Sequence, residues 1–362
     1  MQKQGLSSLA LQKFKKSFWG VFSFWFIMFM AFISVFAYVL APDSSQYSNQ
    51  MHLSIHSKPP GFTVPILVVP NSLNEDQNFF NRIFFGDANP ATEIPISTHR
   101  FDLTNIYYTT YASDGLKGLE NSVEIPLNSP MSSRPFVTQR MFYFGTDKYG
   151  RDLLSRILVG ARISFSIGFV AVFISLLIGV FLGSIAGYFG GKWDAVIMWV
   201  INVTWSIPTL LLVIAITLAL GKGFWQVFIA VGLTMWVEVA RIVRGQVMSV
   251  KEMQYVTAAR ALGFTDFRII LKHILPNILA PVIVISAANF AAAILIESGL
   301  SFLGIGAQPP MSSWGAMIKD HYNYIIVGKP YLALIPGLCI MSLVMAFMLI
   351  GNTLRDALDV KA

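Results

Sequence analysis

The chain has 362 residues, 55% of them hydrophobic and only 12% charged, against about a quarter charged in soluble domains. Its formal net charge of +7 comes from Lys and Arg spread over short stretches beside apolar runs; that arrangement orients helices in a bilayer and is not the basic stripe that tracks a nucleic-acid backbone. The one cysteine, Cys339, lies inside an apolar run, which excludes a disulfide framework and a cysteine metal cluster. These properties read as a polytopic membrane protein with no nucleic-acid partner.

Met1 to Ser17 carries Lys3, Lys13, Lys15 and Lys16 and no acid, and Phe18 to Leu40 is an uncharged apolar run. A secretory signal has an apolar core of about 7–15 residues. The longer run here predicts a first transmembrane helix with its amino terminus in the cytoplasm. From Ala41 to about Phe144 the composition shifts to Asn, Ser, Thr, Pro and Tyr with charges of both signs, a water-facing domain or a long elaborated loop. Within it Phe62 to Pro70, FTVPILVVP, is too short to cross and is interrupted by Pro65, so it reads as a buried strand or a surface-associated segment. Asn105 to Tyr111 is β-prone, with alternation too weak to name a fold.

Phe144 to Phe165, FGTDKYGRDLLSRILVGARISF, can be capped by Thr146 or Asp147. It places Leu153, Leu154, Ile157, Leu158 and Ala161 on one face, with Arg151, Arg156 and Arg162 around it. This predicts an amphipathic helix lying at the membrane surface. Asp147 and Asp152 do not reproduce the spacing of a calcium loop and read as solvated or paired carboxylates.

A second span, about Ile163 to Tyr188, carries Ser175, Gly179, Gly183 and Gly187 at four-residue intervals, a stripe that lets another helix approach closely. AGYFGGKW, Ala186 to Trp193, lacks the first glycine and the Ser/Thr of a phosphate-binding loop, so no nucleotide site follows. The third span, about Trp193 to Leu220, contains Asn202, Trp205 and Pro208. Pro208 removes a backbone hydrogen bond and predicts a kink, which is either packed against protein or exposed to a watery translocation path. After Gly221-Lys222-Gly223, a fourth span runs from about Phe224 to Val247, with Glu238 and Arg241 spaced to meet at i, i+3 and with Arg244 one turn on. A fifth, about Ile278 to Gly304, holds Asn289 and Glu297, the latter either a proton relay or a hydrogen-bonded partner in the bundle. The loop Ala307 to Pro330, with Trp314, leads to a sixth span, about Tyr331 to Gly351, containing Pro336. The even count puts both termini on one side, shared with Lys251, Arg260, Arg268 and Lys272, as the positive-inside rule requires.

Between the fourth and fifth spans lies YVTAARALGFTDFRIILKHILPN, Tyr255 to Asn277. Tyr255, Ala258, Ala259 and Leu262 fall on one face, as do Phe267, Ile270, Leu271 and Ile274. Two short amphipathic helices result, with Gly263 able to end the first, Thr265 or Asp266 able to cap the second, and Pro276 expected to stop it.

This stretch resembles the EAA loop of permease subunits of binding-protein-dependent ABC importers: E-A-A, three residues, G, nine residues, I-x-L-P. Ala258, Ala259, Gly263, Leu275 and Pro276 match; Thr257 stands where Glu is usual and His273 where Ile is usual. FGTDKYGRD, from Phe144, is similar to the C-type partner among dipeptide/oligopeptide-type permeases. The resemblance spans roughly Phe142 to Leu354 and implies the ABC-importer type I permease fold. The fold class expected is therefore all-α, with six transmembrane helices and a large extracytoplasmic insertion after the first. Its parts are 1–40, the amino terminus and first helix; 41–144, outside; 145–354, the permease core with the coupling loop 251–277; and 355–362, a cytoplasmic tail. It further implies a multi-pass plasma-membrane (cell inner membrane) subunit pairing with a second permease, two cytoplasmic ATPases and an extracytoplasmic substrate-binding protein. ATP would be bound by the partners, and the cargo would be a di- or oligopeptide, although related permeases carry nickel complexes and peptide-like antibiotics. ATPase coupling falls to Tyr255, Ala258, Ala259, Gly263, Leu275 and Pro276, and the translocation path is expected near Asn202, Trp205, Pro208 and Glu297.

No nucleophile–base pair, HExxH or Walker motif is readable, so neither catalysis nor a cofactor or metal of the chain's own is expected. The competing reading, an ion- or proton-coupled secondary transporter using Glu297, would carry internal repeats, and none is convincing here. A membrane-anchored scaffold or adhesion protein would not need so ordered a loop at 255–277.

Overall fold

The computed structural model describes residues 6–71, 78–88, 90–112, 118–126, 134–221 and 223–358. Two compact units form, one from Met1–Met30, Ser164–Gln308 and Leu338–Ala362, the other from Ala31–Ile163 and Pro309–Gly337. The helices long and apolar enough to cross a bilayer are α2 (Phe18–Leu40), α4 (Leu153–Phe189), α7 (Phe224–Lys251), the run Asp266–Leu303 that ends in α10 (Leu275–Leu303), and α12 (Tyr331–Leu358). A short α1 (Leu6–Lys16) precedes them. The expected third span is instead two helices, α5 (Gly191–Trp205) and α6 (Thr209–Leu220), bent by 92°. Pro208 is the residue before α6; lacking an N–H, it suits a helix start and not a helix interior, so the chain breaks here instead of kinking.

In the first unit, close backbone approach carries the packing, as expected where lipid tails are as apolar as leucine. A Cβ at Gly183 would lie 2.5 Å from the Ala240 carbonyl oxygen, and at Gly187 2.7 Å from that of Arg244, so the small-residue stripe of α4 lies against α7. Ile167 of α4, Val213 of α6, Phe228 and Val231 of α7 and Ala293 of α10 share one buried cluster. Phe290 of α10 stacks on Phe347 of α12 at 4.0 Å, with Phe165 of α4 beside both.

The second unit corrects the all-α expectation, because residues 62–142 contribute a five-stranded antiparallel sheet. Its strands are β1 (Phe62–Val69), β2 (Thr92–Phe101), β3 (Asn105–Thr110), β4 (Glu120–Glu124) and β5 (Phe136–Phe142), in the order β4-β3-β2-β1-β5. Val64 and Ile66 of β1 are buried with Ile55 and Phe142, while Leu67 is buried with Ile96 and Ile106 on the other face. With both faces covered, β1 reads as a continuous apolar run lacking alternation. Pro65 is tolerated within it because the pairing with β2 covers only Ile66 to Val69; at Pro65 the strand is paired with β5 alone.

The expected surface helix at 144–165 is a second correction, since from Leu153 it runs without interruption into α4. Two of its arginines are buried around a carboxylate. Asp147, fully buried, accepts from the backbone N–H groups of Tyr149 and Arg151 and from Arg151 Nε at 2.6 Å, with Arg156 Nε 3.7 Å away. Asp152 caps α4 by accepting from Ser155 N at 2.8 Å. Trp314, at the start of α11 (Trp314–His321), is fully buried and donates from Nε1 to the Ile157 carbonyl.

Candidate coupling element and transmembrane cavity

The candidate coupling element begins with α8 (Gln254–Ala261). It ends as expected at Gly263, where φ is +80°. Gly263 N donates to the Arg260 carbonyl and Phe264 N to that of Ala259, the paired bonds of a Schellman cap, which needs a left-handed residue between them. Thr265 takes the N-cap position of α9 (Asp266–Ile269) without a side-chain cap bond, and Asp266 is engaged elsewhere: its Oδ1 accepts from the Tyr188 hydroxyl of α4 at 2.6 Å. Arg260 lies over the same Tyr188 ring at 5.7 Å. Both short helices are therefore fastened to α4.

Pro276 does not stop the second helix. A π-helical turn, Ile270–Ile274, joins α9 to α10, with Leu275 N donating to the Ile270 carbonyl five residues back. The wider turn removes the regular i−4 bonding that a proline would break, and Pro276 then sits in the first turn of α10.

The four residues that periodicity groups on one face of α8 divide in the fold. Val256 and Ala259 are buried with Val239, Val243, Ile269, Ile274 and Ile278, whereas Tyr255, Ala258 and Leu262 are exposed. On α9 and the π-turn Phe267 and Leu271 are exposed too, Leu262 and Phe267 retaining 74% and 73% of their accessible area. Leu275 is half-buried and Pro276 exposed. Of the two departures from the loop pattern, His273 stacks on Phe264 at 5.8 Å, the ring that Arg268 covers from 4.2 Å. Thr257 is exposed.

At the break between α5 and α6 a cavity of about 190 Å³ is lined by residues including Thr204, Trp205, Thr209, Thr234 and Glu238. Glu238 is exposed and does not meet Arg241 as its spacing suggested. Arg241 instead lies 3.5 Å over the Trp205 ring and donates to Asn202 Oδ1 at 3.3 Å, an arrangement in which the aromatic face and the amide replace the carboxylate. Arg244 pairs with Asp194 of α5, its Nη2 2.6 Å from Oδ2. Trp205 thus lines the cavity, Asn202 is bonded to Arg241 outside its lining, and Pro208 lies between the lining residues Ile207 and Thr209. Glu297 lies apart from this lining, buried in α10, where its Oε1 accepts from Ser301 Oγ at 2.6 Å. Glu238 was not named for the path; a carboxylate inside an apolar run was the signal for it. Among the described residues no group of three His, Cys, Asp or Glu could hold a metal ion.

Residues 179–361 match the family described as the inner membrane component of binding-protein-dependent transport systems, and residues 5–60 match the N-terminal transmembrane domain of oligopeptide transport permease C. Over 219 residues, 60% of this chain and 72% of the relative, the chain is 44% identical to the dipeptide transport system permease protein DppC of Alkalihalophilus pseudofirmus. Over the same length and the same shares it is 42% identical to the glutathione transport system permease protein GsiD of Escherichia coli. Among solved structures it is similar to a chain of the MetNI methionine ABC transporter in an inward-facing conformation, at 18% identity and a TM-score of 0.47, over 56% of this chain and 95% of that one. The first of these matches takes in α5 to α12, and with them the coupling element and the cavity: the chain belongs to the family of inner membrane components of binding-protein-dependent transport systems.

Proposed function

We propose that this permease imports short peptides as one half of a paired translocation pore, driven by two cytoplasmic ATPase subunits and supplied by an extracytoplasmic binding protein. The apolar side chains Tyr255, Ala258 and Leu262 of α8 and Phe267 and Leu271 beyond it, each exposed while Val256, Ala259 and Ile269 are buried against the bundle, are the observation that carries this reading. An apolar row that the chain does not cover itself is a surface for a partner. Closure of the ATPases on ATP would press on α8 and α9 and, through Ala259, Ile274 and Ile278, shift α7 and α10 between outward-open and inward-open packings. The cargo class follows the relatives, which carry a dipeptide and glutathione by name. Counting α5 and α6 as one span, this reading has six spans with both termini in the cytoplasm and the sheet outside; the positive charge on the coupling element supports it.

Ala258→Lys places a charge on the exposed row without touching the buried one. It is expected to abolish ATPase copurification and peptide uptake while the chain inserts and folds normally, checked by pull-down and by its melting temperature. Gly263→Val forces a β-branched residue into a left-handed turn and is expected to abolish uptake as well; uptake and ATPase association at normal levels in both variants would overturn the assignment. Glu297→Gln is expected to keep ATP-dependent uptake, since an amide still accepts from Ser301; loss of uptake in a normally assembled complex would favour proton coupling.

A further inference from the structure

A short helix in the second unit, α3 (Phe79–Phe85, FFNRIFF), carries more apolar surface than it hides. Of its seven residues only Ile83 is buried, and Phe79, Phe80, Phe84 and Phe85 keep 70%, 72%, 45% and 64% of their area accessible. Four open phenylalanines within two turns are poorly suited to water.

The position of α3 is fixed at one end of a membrane span. Arg162, on α4, donates from Nη1 to the Ile83 carbonyl at 3.1 Å, and its guanidinium lies 5.5 Å from the Tyr38 ring near the end of α2 and 5.4 Å from the Phe84 ring. A Cβ on Gly86, the residue that ends α3, would come within 2.9 Å of Tyr38. Asp87 is then tied to the segment leaving α2: its amide donates to the Ser44 carbonyl and its carbonyl accepts from Gln46 N. The last turns of α2 expose Phe32, Val35, Val39 and Leu40, the side chains that meet lipid if α2 spans. The carboxyl-terminal end of α3, at Phe84 and Gly86, thus lies beside Tyr38, two residues before the end of α2, and beside Arg162, the Tyr and Arg side chains that suit the headgroup boundary.

We propose that α3 is an interfacial membrane anchor. It lies in the boundary between headgroups and acyl chains with Phe79, Phe80 and Phe85 in the lipid, and it holds the sheet-bearing segment against the bilayer at the foot of α2. The occupant is the lipid surface itself, argued from continuity with the exposed face of α2. Phe84 and Arg162 fasten α3 to the protein, and the other three phenylalanines face outward.

The test uses the full chain reconstituted with its transport partners in phosphatidylcholine–phosphatidylglycerol vesicles. In a Cys339→Ser background, Phe79→Cys, Phe80→Cys and Phe85→Cys are each spin-labelled, with Ser97→Cys on the exposed part of β2 as the water-facing control, and collision with oxygen is compared with collision with a neutral nickel chelate. The expected result is oxygen collision in excess of the chelate at positions 79, 80 and 85, and the reverse at 97. Chelate collision at those three positions equal to that at 97 would place α3 in water and overturn the proposal. Exclusion of both probes would show a protein partner covering α3 and overturn it equally. The binding of ATPase subunits, measured on the same samples, reports the coupling assignment separately.

Discussion

At Gly183 an added Cβ would lie 2.5 Å from the Ala240 carbonyl oxygen, with Val243 at 2.9 Å, and the backbone of α7 cannot yield as a flexible side chain would. Gly183→Ala is therefore expected to destabilise the chain by about 1–3 kcal/mol, the usual range for overpacking. Gly245→Ala, also helical but with nothing within 4 Å of its Cβ, is expected to be neutral or to gain up to ~1 kcal/mol from helix propensity. Thermal unfolding in one detergent compares the two; equal behaviour would contradict the close α4–α7 approach. His321 offers a pH test in the second unit. Burial lowers its pKa below the ordinary value near 6.5, with Lys148 acting the same way and the Met317 carbonyl, Asp147 and Asp320 opposing. As pH falls through about 6.5 the unfolded chain takes up a proton that the folded chain resists, so stability falls with acidification. His321→Gln is expected to flatten the dependence of melting temperature on pH between 7.5 and 5.5. The glycine stripe was readable from four-residue spacing alone. The pairing of Arg244 with Asp194, fifty positions away in the chain, and the capture of Arg241 by Trp205 were not, because local i, i+3 geometry offered Glu238 as a nearer partner.

The coupling element is a lever only if α8 and α9 move together with the helices they touch. The Tyr188 hydroxyl bond to Asp266 and the burial of Val256 and Ala259 supply that stiffness. Tyr188→Phe removes the bond while leaving the exposed row intact. It is expected to preserve ATPase binding but to lower the amount of peptide imported per ATP hydrolysed; an unchanged ratio would show that the bond does not transmit force. How far elements were legible depended on how many of their faces are covered. The span Phe18–Leu40 is legible because its uncharged run is too long for the apolar core of a secretory signal. The coupling stretch is legible as two helices around Gly263, but the spacing groups Ala259 with Tyr255, Ala258 and Leu262, and in the fold Ala259 is buried beside Val256 while the other three stay exposed; periodicity does not say which apolar residues are kept for a partner. The sheet was hidden for two opposite reasons, since β1 is apolar on both faces while four of the five residues of β4 are exposed, and neither alternates.

At the scale of the whole molecule, the chain combines spanning helices, a broken helix pair beside a cavity, and one ordered loop whose apolar row it leaves uncovered. Membership of the permease family accounts for the helices and the loop together, and the chemistry of energy supply is assigned to partner subunits. The account stands on the coupling element receiving those partners, and cross-linking tests it most directly. In a Cys339→Ser background, Leu262→Cys and Phe267→Cys are placed on the exposed row and Ser97→Cys on the sheet, and the assembled transporter is treated with a short thiol–amine cross-linker. The account predicts that positions 262 and 267 link to the ATPase subunits and position 97 does not; an intact, ATP-hydrolysing complex in which neither 262 nor 267 links to an ATPase would contradict it.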